Sequence, residues 1–133
     1  VLLLDPIKTA QQYVQGLRPE CDLIIVLSRL GIEGDQELAQ AAPGINVIVG
    51  GKTRQFMREP LQVGNTLIVQ QGYNGERIGR LSAIFDRNGV PKDATEEIIT
   101  LGSECGVSFE MELMLKEYRK RYATPVPTFA PEN

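Results

Sequence analysis

Apolar positions along this chain change their period several times, and each change marks a different element. After Asp5-Pro6, the residues Ile7, Ala10, Tyr13, Val14 and Leu17 recur at three- and four-residue steps, which places them on one inward face of a helix. Asp5 suits the cap because its carboxylate can accept from free amides, and Pro6 at the first helical position has no amide to leave unpaired. Arg18-Pro19 ends that helix. The run Asp22-Leu23-Ile24-Ile25-Val26-Leu27-Ser28 is almost continuously aliphatic, the pattern of a strand covered on both faces in a parallel sheet. A short helix follows, with Asp35 as its cap and Leu38, Ala39 and Ala42 inward, until Pro43-Gly44 stops it. Ile45-Asn46-Val47-Ile48-Val49 is the next strand and completes a right-handed β-α-β unit.

Beyond the loop Gly50-Gly51-Lys52-Thr53-Arg54, the residues Leu61-Gln62-Val63 and Thr66-Leu67-Ile68-Val69-Gln70 flank Gly64-Asn65. That pair suits a two-residue turn with positive φ, so the segment reads as a hairpin. After Gly72-Tyr73-Asn74-Gly75, Ile78 to Asp86 forms a last strand, closed by Arg87-Asn88-Gly89. The sheet is therefore mixed, and the fold class is α/β. From Phe109 to Tyr122 the period is helical again, with Met111, Met114, Leu115, Tyr118 and Tyr122 on one packing stripe. Glu110 and Glu112 lie early and Lys116, Arg119, Lys120 and Arg121 late, as the helix dipole prefers. Its basic end reads as a solvated terminus before it reads as a binding patch. Residues 1–90 thus form one α/β unit, 91–123 a trailing segment with a packing helix, and 124–133, with Pro125, Pro127 and Pro131, an extended tail or linker.

Composition narrows the function. With 133 residues, 42% of them hydrophobic and 23% charged, the chain can bury the core of one domain. A net charge of −3 argues against nucleic acid and anionic membrane as general partners. The longest apolar runs are strand-sized, far short of the roughly 20 residues that cross a bilayer. Val1-Leu2-Leu3-Leu4 lacks an initiator Met, a basic region and a cleavage site, so the chain is expected to begin inside a longer polypeptide. Cys21 and Cys105 match neither a zinc spacing nor a CxxC motif, and burial or a disulfide suits them better than catalysis. Histidine is absent altogether, which removes the commonest general base and transition-metal ligand together.

The ordered series Asp5-Pro6, Ile24-Ile25-Val26-Leu27-Ser28-Arg29-Leu30-Gly31, Asp35, Pro43-Gly44-Ile45-Asn46-Val47-Ile48-Val49-Gly50-Gly51 and Gln70-Gln71-Gly72 resembles the bacterial 5′-nucleotidases of the calcineurin-like metallophosphoesterase superfamily. The resemblance runs from about Val1 to Asp86 and covers the carboxy-terminal half of the catalytic domain. It implies half of a metallophosphoesterase-type α/β sandwich, two divalent metals such as Mn or Zn as cofactors in the family, phosphate or nucleotide as ligand, and a periplasmic or extracytoplasmic setting. The family carries Ser-His-Leu-Gly after the first of these strands and Gly-Gly-His-x-His after the second. Here the three histidine positions hold Arg29, Lys52 and Arg54. A guanidinium has no lone pair to give, and Lys stays protonated near neutral pH, so no metal is expected to bind and no catalytic residue is assigned.

Two readings of these cations follow. They are ordinary loop residues left after a metal site decayed, or they hold an anion at the carboxyl ends of two parallel strands, where open α/β sheets place ligands. Gly50-Gly51-Lys52-Thr53 lacks the leading Gly and the spacing of a nucleotide-binding P-loop. Ser28 has no histidine to activate it, and Asp35 reads as a helix cap before it reads as a catalytic carboxylate. The expected function is a degenerate nucleotidase-like segment, inactive alone, that serves as an anion-binding or interaction module. The alternative is a nucleotide or phosphate-ester hydrolase, active only with a missing amino-terminal half. Either that half or a second copy would meet an exposed sheet edge.

Overall fold

The computed structural model describes residues 4–122, so the expected tail at 124–133 lies outside the described residues. The first helix, α1 (Pro6–Leu17), starts as its sequence requires: Asp5 Oδ1 accepts from the amides of Ile7 at 3.0 Å and Lys8 at 3.1 Å. Its inward face is narrower than the periodicity suggests. Val14 is buried, whereas Tyr13 is 68% exposed. The sheet comprises β1 (Ile25–Leu27), β2 (Val47–Val49), β3 (Leu61–Val63) and β4 (Thr66–Val69), with α2 (Ile32–Ala41) between β1 and β2. The strand order is β1-β2-β4-β3, the first two pairings parallel and the last antiparallel. Gly64 at φ 58° makes the expected hairpin turn between β3 and β4.

The core joins α1, α2 and one face of this sheet through Val14, Ile24, Leu38, Ala39, Ala42, Ile45, Ile48 and Ile68. Asn46 is the polar rivet inside it. Its Oδ1 accepts from the Ile24 amide at 2.9 Å and from Arg18 Nη1 at 3.2 Å, and its Nδ2 donates to the Gly89 carbonyl at 3.1 Å. One side chain thereby joins the ends of α1 and β1 to a distant turn.

Several expectations are corrected. The first strand is not covered on both faces: Ile25 is 54% and Leu27 83% exposed, since both helices lie on the opposite face of the sheet. Asp35 does not cap α2. The helix begins earlier, with Gly31 at its N-cap and no side-chain cap bond, and Asp35 in its first turn is wholly buried. The strand expected to be last, β5 (Arg77–Phe85), pairs antiparallel with β6 (Pro91–Thr100). Lys92, Asp93, Glu96 and Glu97 hide that strand in sequence, yet the register places Glu97 opposite Arg80, where the two pair, and Ile99 opposite Ile78. Asp86 sets the turn between these strands, Oδ1 accepting from the Asn88 and Val90 amides at 2.9 Å each.

By contacts the chain divides into two units, Val1–Leu101 and Gly102–Asn133. In the second, a short 3-10 turn (Ser103–Cys105) precedes α3 (Phe109–Tyr122). The stripe expected to pack inward is exposed, Met114 at 56% and Tyr118 at 60%, because the described part of that unit offers no second layer to cover a lone helix. Cys21 packs half-buried against the core of the first unit, and Cys105 is exposed.

Candidate functional site

Three parallel strands end on one side of the sheet, and the residues that leave them meet there. Ser28 follows β1, Gly50-Gly51 follows β2 and Gln70-Gln71 follows β4. Backbone bonds keep the exits together, with the Ser28 amide donating to Val49 O at 2.9 Å and the Gly50 amide to Val69 O at 2.8 Å. Beneath them lies a buried polar floor. Ser28 Oγ donates to Asp35 Oδ1 and accepts from the Leu30 amide at 3.1 Å. Asp35 Oδ2 is buried without a hydrogen-bond partner. Burial pushes the Asp35 carboxyl above the ordinary carboxylate range, and the bond from Ser28 pulls the other way.

The expected cations leave β1 and β2 in these exit loops. Lys52 and Arg54 take left-handed backbone, φ 75° and 55°, and the Thr53 amide donates to Gly51 O at 3.0 Å, closing a tight turn around Lys52. Lys52 reaches across to the other loop, Nζ donating to the Leu30 carbonyl at 3.4 Å. This places the ammonium against the turn that carries exposed Arg29. Arg54 packs on an aromatic ring: its guanidinium lies 5.5 Å from the Tyr73 ring centroid. The structure therefore brings Lys52 to the Arg29 turn and sets Arg54 on an aromatic face.

A groove of about 630 Å³ adjoins the site, between the uncovered face of the sheet and the β5–β6 hairpin. Leu23, Ile25, Val49, Leu81 and Phe85 make its walls, and Gln70, Tyr73, Arg77 and Glu96 supply its polar atoms. Gln71 Nε2 donates to Glu96 Oε1, while Glu96 Oε2 is buried without a partner. Burial raises the Glu96 carboxyl, opposed by the Gln71 bond. Arg77 lies 4.6 Å and Arg58 5.9 Å from the Phe56 centroid. Sequence reasoning missed Gln70, Glu96 and this arginine-aromatic cluster as parts of a site. The alternation Arg54-Gln55-Phe56-Met57-Arg58 was the available signal.

No protein-family model matches the chain. It is 33% identical over 95 residues, 68% of its length, to the trifunctional nucleotide phosphoesterase protein YfkN of Bacillus subtilis. Over 114 residues, 85% of its length, it is 27% identical to the uncharacterized metallophosphoesterase YunD of the same organism. The matches span 6% and 25% of those two proteins. Among solved structures, the 5′-nucleotidase precursor of Thermus thermophilus superposes with a TM-score of 0.75 and 27% identity, over 90% of this chain and 27% of that one. The sulfate thiohydrolase SoxB of the same genus gives 0.78 and 25%, over 90% of this chain and 22% of that one.

Proposed function

Because this chain belongs to the 5′-nucleotidase-like metallophosphoesterases and forms part of their α/β sandwich, we propose that it is a degenerate segment of that domain, holding a phosphate group through Arg29, Lys52 and Arg54 without hydrolysing it alone. The observation that carries this reading is the Lys52 Nζ to Leu30 O bond. It joins the loop that carries Lys52 to the turn that carries Arg29, the exits of β2 and β1. Arg and Lys are strong partners for phosphate oxygens, and the Arg fork adds direction.

Divalent metals do not fit these residues. Neither guanidinium nor ammonium offers a lone pair, and a fixed cation repels a metal ion. Among the described residues no group of three or more His, Cys, Asp or Glu could hold one. Asp35, a buried carboxylate, has one oxygen engaged by Ser28 and only the other without a partner, so it offers a metal a single donor. Without the metals, the residues present provide neither an activated hydroxide nor a clamp for the transferring phosphoryl group, so no hydrolytic step follows from them.

Inorganic phosphate added to isotope-labelled protein should move the amides of Arg29 and residues 51–54 saturably. Unmoved amides there would overturn the anion site. Metal analysis and a nucleotidase assay on the longest natural chain test the other half of the reading. Stoichiometric Mn or Zn with turnover would overturn it in favour of a hydrolase whose ligands come from a preceding half. A role as an interaction module draws support from the uncovered apolar face, where Leu27 is 83% exposed. No helix among the described residues is long and apolar enough to cross a membrane.

A further inference from the structure

We infer that Gln70 is the positioning residue that holds the Lys52–Arg54 turn in the form that aims its cations, an inference that rests on the anion-site reading. Gln70 follows β4 and is 2% exposed, and its amide sits under the turn. With its oxygen towards the backbone, it accepts from the Gln55 amide at 2.9 Å and the Arg54 amide at 3.1 Å, while its NH2 donates to Thr53 Oγ1 at 3.1 Å. The reverse orientation would set NH2 against two backbone donors, so hydrogen-bond chemistry selects this one.

The arrangement is a nest, in which successive backbone N–H groups converge on one oxygen. Such nests commonly hold an external anion, but here a side chain of the protein fills it. That matters because Lys52 and Arg54 both adopt left-handed backbone, which non-glycine residues adopt only when their surroundings compensate. Gln70 also anchors the segment through its main chain, accepting from the Met57 amide at 3.0 Å, and the Gly72 amide donates to Gln55 O at 2.8 Å. From this held turn Lys52 reaches Leu30 and Arg54 reaches Tyr73. An extended turn would send both side chains elsewhere. Gln70 touches no ligand in this scheme; it acts by presenting the residues that do.

The first test uses the unaltered protein. Scalar coupling across hydrogen bonds should link the Gln70 side-chain carbonyl to the Arg54 and Gln55 nitrogens, and its absence overturns the inference. The second compares Gln70→Met, close in size but with only a weakly accepting sulfur, with the core change Ile68→Val as a control for general destabilisation. Gln70→Met should speed exchange of the Arg54 and Gln55 amides about ten-fold beyond any global change and raise the phosphate midpoint roughly five-fold. Ile68→Val should do neither. An unchanged midpoint in Gln70→Met overturns the positioning role even if the turn loosens. The two readings fail differently: couplings present without any phosphate response in the unaltered protein overturn the anion site, whereas phosphate binding without couplings overturns only the role of Gln70.

Discussion

A methyl group on Gly50 would stand 2.5 Å from Oδ2 of Asp35. The carboxylate cannot swing aside readily, because its other oxygen is held by Ser28 and the whole residue is buried. Gly50→Ala should therefore destabilise the protein by about 1–3 kcal/mol, the usual range for overpacking. Asp35→Ala should remove most of that added cost, so the double variant should be clearly non-additive. Urea unfolding of the four proteins checks this, and additive losses would show that the two residues do not compete for space.

Asp35 also makes stability depend on pH. Burial raises its carboxyl above the ordinary value of 3.8. Below that value the group is protonated folded or unfolded and contributes no difference. As pH climbs through the raised value, the folded state must hold a disfavoured charge and stability falls. Asp35→Asn keeps the shape without the charge. Its melting temperature should match the unaltered protein near pH 3.5 and exceed it at pH 7, at a distance from the ordinary carboxylate range. Equal curves across that window would remove the buried charge from the argument.

Asn46→Ala should cost about 2–3 kcal/mol, mainly because the buried Ile24 amide loses its acceptor. The loss should also loosen the turn at Gly89, whose carbonyl accepts from Asn46. Hydrogen exchange at residues 86–90 would then rise more than exchange in β4. A uniform rise would mean that Asn46 only supports the core.

Lys52→Ala should weaken phosphate binding by roughly ten-fold, in keeping with the loss of one charge-assisted bond. The effect should shrink at high salt, where exposed charges are screened. Phosphate should raise the melting temperature of the unaltered protein by mass action, and Mn should leave it unchanged. Stabilisation by Mn would contradict the donor chemistry of Arg29, Lys52 and Arg54.

Leu27→Lys tests the uncovered face. Light scattering should show association for the unaltered protein and a monomer for the variant. A monomer in both would remove this face as a self-association surface.

Local signals set much of this protein. Asp5-Pro6 caps α1 because the capping atoms lie within three residues of the amides they serve, and Gly64-Asn65 turns the β3–β4 hairpin because left-handed backbone favours glycine. The aliphatic runs around Ile25 and Val47 were readable as parallel strands, and the resemblance implies that Arg29, Lys52 and Arg54 stand where the family carries histidines. What sequence could not reveal depends on partners far along the chain. Asp35 reads as a cap until tertiary packing buries it under Ser28 and Gly50. β6 looks like a charged linker until Arg80 and Ile78 lie opposite Glu97 and Ile99. Aliphatic runs announce burial, but which face is covered depends on where the helices pack, and both lie on one side. Gln70 enters the sequence pattern only as the end of a strand and part of Gln70-Gln71-Gly72, with no local sign that it holds a turn. Its role exists only because β4 ends beneath the loop that leaves β2, bringing one side-chain oxygen to two amides that sequence places some fifteen residues away.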